Sequence, residues 1–141
     1  MKEISIKRSL REMKRLEIRM RFGVQAPSRP PLIWDMFFDL SGSGRAKYSL
    51  DALAGMSRDA YREAIAEYWS FVYTAFINEN EFQAASYDPG VLLAWGLPYD
   101  ADEAAVKRRF RELAKRHHPD LGGDAKNFIH LMTEYQTLVG K

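Results

Sequence analysis

The chain has 141 residues, of which 46% are hydrophobic and 28% charged, as in an ordinary soluble globular protein of one domain or two small ones. It contains no cysteine, so disulfides, thiol nucleophiles and cysteine metal sites are excluded. The N-terminus is charged from Lys2 to Arg21 and lacks an apolar signal core, and the longest uncharged apolar run, from Tyr68 to Ile77, is too short to span a bilayer. We therefore expect a cytoplasmic protein with no transmembrane segment.

The net charge of +2 is the sum of three segments that differ in sign. Residues 1–29 have a balance of +6, residues 30–88 a balance of −5, and residues 89–141 a balance of +1. We favour the interpretation that the basic segment is a solvated helix face packed near the acidic one. The alternative is that residues 2–21 bind nucleic acid or an anionic membrane surface.

The first 87 residues predict a mainly helical region of unknown role. Residues 3–22 place apolar side chains at roughly helical spacing, although from position 16 onward they also alternate as in a strand. Three prolines interrupt residues 26–31, and residues 32–40 form a short apolar element. The apolar positions of the first helix are Ile6, Leu10, Met13 and Met20.

The glycine-rich segment at 41–44 predicts a flexible turn or linker. The wider string GSGRAK at 42–47 lacks the final Gly-Lys-Ser/Thr of a phosphate-binding loop, which supports the same interpretation.

A long helix is predicted over residues 57–78, with Ser57 as its N-cap. Its apolar residues surround the helix after Tyr68, so we expect burial on more than one side. Neither Trp69 nor Trp95 has an obvious partner in its own segment. We therefore expect residues 57–78 to pack against the C-terminal helices as well as the N-terminal segment.

The C-terminal segment predicts a short helix followed by a hairpin of two amphipathic helices. Asp88 and Pro89 begin the short helix and Gly96 ends it, while Asp102 caps the longer helix. The two apolar stripes recur with a helical period, and a short loop joins them, so the helices should pack antiparallel. The stripes consist of Val106, Phe110, Leu113 and His117, and of Phe128, Leu131, Met132, Tyr135, Leu138 and Val139.

The loop between these helices has the sequence HPDLGGD. Proline disfavours the helical conformation of the preceding His118, the glycine pair at 122–123 permits unusual backbone angles, and Asp124 is an N-cap for the last helix. Turn chemistry does not require the particular residues His118 and Asp120.

Residues 88–139 resemble the J-domain of DnaJ-type co-chaperones. An HPD tripeptide between two correctly phased amphipathic helices, of which the first is basic, makes the resemblance specific. It is carried by Gly96, Leu97, Pro98, Val106, Phe110, Leu113, Ala114, His118, Pro119, Asp120, Gly122, Gly123, Asp124, Phe128, Tyr135 and Leu138.

The resemblance implies an all-α fold that binds a DnaK-type chaperone of the heat-shock protein 70 family and stimulates its ATP hydrolysis. It implies that the chain is not itself an enzyme and needs no cofactor or metal. His118, Pro119 and Asp120 would form the stimulatory loop, with Asp120 engaging a basic group of the chaperone. The basic docking face would consist of Lys107, Arg108 and Arg111.

The HPD loop also carries a stability expectation. We expect changes to His118 or Asp120 to abolish stimulation while leaving helicity and melting nearly unchanged, because Pro119 and the glycines largely set the loop.

The chain departs from the family's pattern at several positions, and no family is recognised in residues 1–87. We expect two regions, 1–87 and a J-domain over 88–141, with the first selecting a client or a location. The departures are Trp95, Arg109, Glu112, His117 and Leu121.

Three alternatives concern the site. A J-like module could serve interaction or structure without stimulatory activity. A metal site from His117, His118, Asp120 and His130 lacks suitable ligand spacing. A Ser-His-Asp triad is not excluded by the sequence, but the G-x-S-x-G context is absent.

Overall fold

A computed structural model describes residues 3–23, 26–42, 44–80 and 87–140. These residues form α-helices and only two short strands, so the predicted all-α fold class is confirmed. Two compact units divide the chain, Met1–Ala75 and Phe76–Lys141. The elements are α1 (Glu3–Phe22), α2 (Trp34–Phe37), β1 (Phe38–Asp39), β2 (Tyr48–Ser49), α3 (Leu50–Ala54), α4 (Arg58–Glu79), α5 (Pro89–Ala94), α6 (Glu103–His117), a 3-10 helix (Pro119–Leu121) and α7 (Ala125–Leu138).

Helix α1 continues to Phe22, so the alternating pattern after position 16 does not produce a strand. All four predicted apolar residues of this helix are buried, and they share their side of the helix with Glu17, which is fully buried. A helical period explains this burial, since positions 13, 17 and 20 follow each other at intervals of four and three.

The carboxylate of Glu17 is the polar centre of the first unit. Its Oε2 accepts hydrogen bonds from Arg21 Nη1 (2.6 Å) and from the backbone N of Ile33 (2.8 Å). Its Oε1 accepts from the backbone N of Trp34 (2.9 Å) and the hydroxyl of Tyr68 (2.6 Å). Burial and the nearby Glu17 charge raise the pKa of Tyr68 far above its ordinary value. These hydrogen bonds offset the free-energy cost of burying the carboxylate. The carboxylate also caps the N-terminus of α2, because it accepts from the first amides of that helix.

The segment predicted as a flexible turn or linker lies within the first unit. Strands β1 and β2 are parallel, with Phe38 opposite Tyr48, and residues 41–44 lie between them. The buried carboxylate of Asp39 accepts hydrogen bonds from the backbone N of Ser41 (3.0 Å) and of Gly44 (2.6 Å). Of the two alternatives the turn is the one observed, because the described residues of the segment connect two paired strands of one unit.

Helix α4 begins as predicted, with the Ser57 hydroxyl accepting from the backbone N of Ala60 (3.1 Å). Its buried residues include Tyr68, Trp69 and Tyr73, so burial on more than one side is confirmed, although Phe71 on the same helix is exposed. The last turn of α4, from Phe76 onward, belongs to the second unit.

In the second unit, α5 precedes a hairpin of α6 and α7. Asp88, Asp102 and Asp124 each accept a hydrogen bond from a first-turn amide, so all three predicted N-caps are confirmed. Gly96 has a positive φ of 76°, the left-handed conformation expected of the residue that ends α5. The predicted apolar residues of α7 are all buried.

An aromatic cluster fills the core of this unit. The ring of Phe76 stacks on Phe110 at a centroid distance of 5.5 Å, and Trp95 lies 6.3 Å from both Phe110 and Tyr135. Trp95 therefore has aromatic partners within its own segment, and the expectation that it lacked them was wrong. The compact unit begins at Phe76, twelve residues before the predicted boundary at 88, because Phe76 packs on this cluster. The expected packing of residues 57–75 against residues 88–141 stays a prediction.

Among the residues that the structure describes, no helix is both long enough and apolar enough to cross a membrane.

Candidate functional site

The predicted stimulatory loop begins where α6 ends. Val106, Phe110 and Leu113 are buried as expected, whereas His117, one turn further, is only partly buried. His118 has an extended backbone (φ −63°, ψ 129°), as expected before a proline. Its carbonyl oxygen then accepts hydrogen bonds from the backbone N of Leu121 (3.0 Å) and of Gly123 (2.9 Å). The tripeptide therefore forms a closed turn and not an open loop.

The two glycines are required for different physical reasons. Gly122 has a φ of 87°, and a Cβ added there would meet nothing within 4 Å, so only its backbone conformation favours glycine. A Cβ on Gly123 would lie 2.2 Å from the carbonyl carbon of His117 and 2.3 Å from its oxygen. Close approach of two backbone segments therefore requires glycine at position 123.

The His118 side chain points into the second unit and is buried, with only 2% of the residue exposed. Its ring packs edge-on against Phe128 at a centroid distance of 5.1 Å. Nδ1 accepts a hydrogen bond from the backbone N of Asp120 (3.2 Å), so the ring proton belongs on Nε2 in the neutral imidazole. Burial lowers the pKa of His118 to about 4, which keeps the imidazole neutral near pH 7.

Asp120 lies at the surface of the same turn. Its side chain is 49% exposed, and its Oδ2 is 3.9 Å from Nδ1 of His118. Because His118 is neutral near pH 7, this approach is not an ion pair. A carboxylate is therefore presented to solvent on a turn whose backbone is hydrogen-bonded to a buried ring.

The basic residues predicted on α6 lie about two to three turns before this loop. Lys107 pairs with Glu103 at 2.5 Å, Arg108 is exposed, and Arg111 is partly buried. Positions 107, 108 and 111 are neighbours on the helix surface. They lie roughly 10 to 16 Å before His118 along the helix axis, at 1.5 Å per residue.

Arg109 has a role that the sequence did not reveal. Its Nε donates a hydrogen bond to the carbonyl oxygen of Trp95 (2.9 Å), and its Nη1 donates to Glu112 Oε2 (3.1 Å). The three departures Trp95, Arg109 and Glu112 thus form one set of contacts that ties α6 to the end of α5. The helix end at Gly96 could have indicated this contact, because the last carbonyl groups of a helix lack donors within the helix and need a donor from elsewhere.

The structure does not assemble the imagined metal site. Within the described ranges, no group of three or more His, Asp or Glu side chains is placed to hold a metal ion. His130 is exposed, and its Nε2 lies 4.0 Å from Oε1 of Glu134 on the same helix. It belongs to α7, whereas His118 and Asp120 belong to the turn before that helix.

Two curated proteins share short stretches with this chain. The tetratricopeptide repeat and J domain-containing co-chaperone DNJ1 of Cryptococcus neoformans is 46% identical over 43 residues, covering 30% of this chain and 8% of that protein. The chaperone protein DnaJ of Lachnospira eligens is 58% identical over 26 residues, covering 18% of this chain and 7% of that protein. The chain thus spans less than a tenth of the length of either relative.

No family model and no solved structure matches the chain. The partial matches to J-domain proteins indicate a J-domain and a chaperone-related role.

Proposed function

We propose that residues 88–139 are a J-domain that binds a DnaK-type chaperone of the heat-shock protein 70 family and stimulates its ATP hydrolysis. The chain itself catalyses no reaction and needs no cofactor, and it acts in the cytoplasm. The observation that carries the proposal is the half-exposed carboxylate of Asp120 on a turn that buried His118 holds in place.

This geometry assigns different roles to the members of the tripeptide. Asp120 is the group that contacts a basic residue of the chaperone, because its carboxylate is exposed. His118 is too buried to make that contact in this conformation and acts as a positioning residue through the backbone N of Asp120. Pro119 fixes one backbone angle of the turn. A turn already ordered before binding loses less conformational entropy when the complex forms.

The basic face of α6 supports an electrostatic contribution to docking. Arg111 lies three residues after Arg108 and four after Lys107; Arg108 is exposed, while Lys107 and Arg111 are partly buried beside the buried stripe of α6. Complementary charge across an interface mainly raises the association rate and fixes orientation. We infer that this face steers the chaperone toward the tripeptide turn, and that residues 1–87 select a client or a location.

The test measures ATPase stimulation of a purified DnaK-type chaperone by the full chain. Changing Lys107, Arg108 and Arg111 to Gln should raise the concentration that gives half-maximal stimulation, chiefly through slower association. The matched control removes three charges elsewhere, with Arg8, Arg11 and Arg15 changed to Gln, and should stimulate like the unchanged chain. A chain that binds the chaperone without raising its ATPase rate would instead be a docking module, and the proposal would be rejected.

A further inference from the structure

Helix α1 carries a stripe of four arginines on the side opposite its buried face. Arg8, Arg11, Arg15 and Arg19 follow one another at intervals of three, four and four residues, which places them on one side of the helix. All four are exposed. We call this set the arginine stripe.

The arginine stripe lies outside the buried face of α1. The buried residues of α1 lie about half a turn away from it around the helix. All four arginines are exposed, and none lies within ion-pair distance of a carboxylate among the described residues. The expectation that this solvated face packs near the acidic middle segment stays a prediction. Like charges three and four residues apart destabilise a helix. Exposed Glu12 lies on the same side, four residues after Arg8 and three before Arg15, so the four arginines leave an excess of positive charge on this face.

The chemistry of the stripe fits phosphate groups. Arginine binds phosphate through a planar fork of donors, and every charge in the stripe is arginine and not lysine. The four residues extend over about 16 Å of helix axis. The stripe therefore presents a row of four cations along the helix, as an extended polyanion would need.

We propose that the arginine stripe binds the sugar-phosphate backbone of a nucleic acid without reading its sequence. Phosphate contacts are favoured over base contacts, because most hydrogen bonds between proteins and DNA go to phosphate and sugar oxygens. A membrane surface fits less well, because the apolar face that an interfacial helix would insert is buried within the first unit. This inference does not depend on the proposed chaperone function.

The experiment measures anisotropy of a labelled, mixed-sequence DNA duplex and of a single strand of equal length, titrated with the full chain. Four phosphate contacts predict a slope of log K against log salt of about −3.6 for the duplex and about −2.8 for the single strand. Duplex affinity should therefore fall roughly 100-fold between about 50 and about 200 mM salt.

Variants connect binding to the stripe. Changing all four arginines to Gln should abolish binding, and each single change should reduce the slope by about one. Changing all four to Lys should keep the slope, since charge is retained, while weakening affinity. The matched control, with Lys107, Arg108 and Arg111 changed to Gln, should bind the duplex normally. Should the fourfold Gln variant lose helicity by circular dichroism, the single variants decide the question.

Two outcomes would overturn the inference. One is equal duplex binding by the stripe variants and the unchanged chain. The other is absence of binding to either oligonucleotide, including the case in which the chain binds vesicles rich in phosphatidylserine. Loss of nucleic-acid binding in the stripe variant should leave chaperone stimulation intact, so failure of this inference and failure of the proposed function are distinguishable.

Discussion

The Nδ1 atom of His118 accepts a hydrogen bond from the backbone N of Asp120 over 3.2 Å. This bond joins a residue that is 2% exposed to one whose side chain is 49% exposed. A buried imidazole thus fixes the backbone from which an exposed carboxylate projects. The two polar members of the tripeptide are therefore expected to respond differently to substitution, and His118 should matter for stability as well as for docking.

The first prediction concerns the pH dependence of stability. The pKa of His118 is about 4 in the folded chain against 6.5 for an ordinary histidine, so between these values the unfolded chain binds more protons. The free energy of unfolding should therefore fall as the pH drops from 6.5 toward 4, by up to about 1.4 kcal/mol per pH unit from this group. Urea denaturation at a series of pH values measures the effect.

His118→Gln is the control for this prediction, because all other titrating groups are the same in both proteins. The difference in unfolding free energy between the two chains should shrink as the pH falls through this window. Parallel curves for the two proteins would show that His118 is not buried as a neutral imidazole.

The second prediction concerns the two glycines of the loop. Gly123→Ala should lower the free energy of unfolding by about 2 to 4 kcal/mol, because its Cβ would overlap the His117 backbone, which must then move. Gly122→Ala should cost only about 1 to 2 kcal/mol, since that position has a positive φ but open space. Chemical denaturation of both variants gives the comparison. A larger cost at position 122 than at 123 would contradict the close approach.

The third prediction concerns the connection between α5 and α6. Arg109→Ala should lower the free energy of unfolding by about 1 kcal/mol, because the Trp95 carbonyl loses its donor. The adjacent exposed Arg108→Ala should change it by less than about 0.5 kcal/mol. Both are measured by urea denaturation, with Trp95 emission followed in a Trp34→Phe, Trp69→Phe background. Equal effects of the two substitutions would show that the hydrogen bond contributes no stability.

Local patterns predicted the helices, their caps and their buried stripes because the forces that set them act within a few residues. Asp88, Asp102 and Asp124 each bond amides two or three residues ahead, which a sequence reveals directly. Glu17 could not be predicted in this way. Of the four groups that donate hydrogen bonds to its carboxylate only Arg21 is local, and Ile33, Trp34 and Tyr68 lie 16, 17 and 51 residues further along the chain.

The site shows the same division between local and long-range causes. The turn could be predicted from Pro119 and Gly122. Proline disfavours the helical conformation of the residue before it, and glycine readily adopts a positive φ. The sequence did not indicate that His118 is buried against Phe128 or that Gly123 meets the His117 backbone. Those contacts depend on how α7 packs against α6. Because His118 is buried, we expect its replacement to lower the melting temperature, in contrast to the expectation from the sequence.

Single-turnover ATP hydrolysis by a DnaK-type chaperone in the presence of Asp120→Asn is the decisive measurement for the role of the exposed carboxylate. The substitution removes the exposed charge but keeps the backbone N that bonds His118, so the free energy of unfolding should change by less than about 0.5 kcal/mol. The matched control is Asp124→Asn, which removes a carboxylate four residues later and leaves an equally good N-cap. We predict that Asp120→Asn returns hydrolysis to the unstimulated rate while Asp124→Asn stimulates like the unchanged chain. Full stimulation by Asp120→Asn would contradict it.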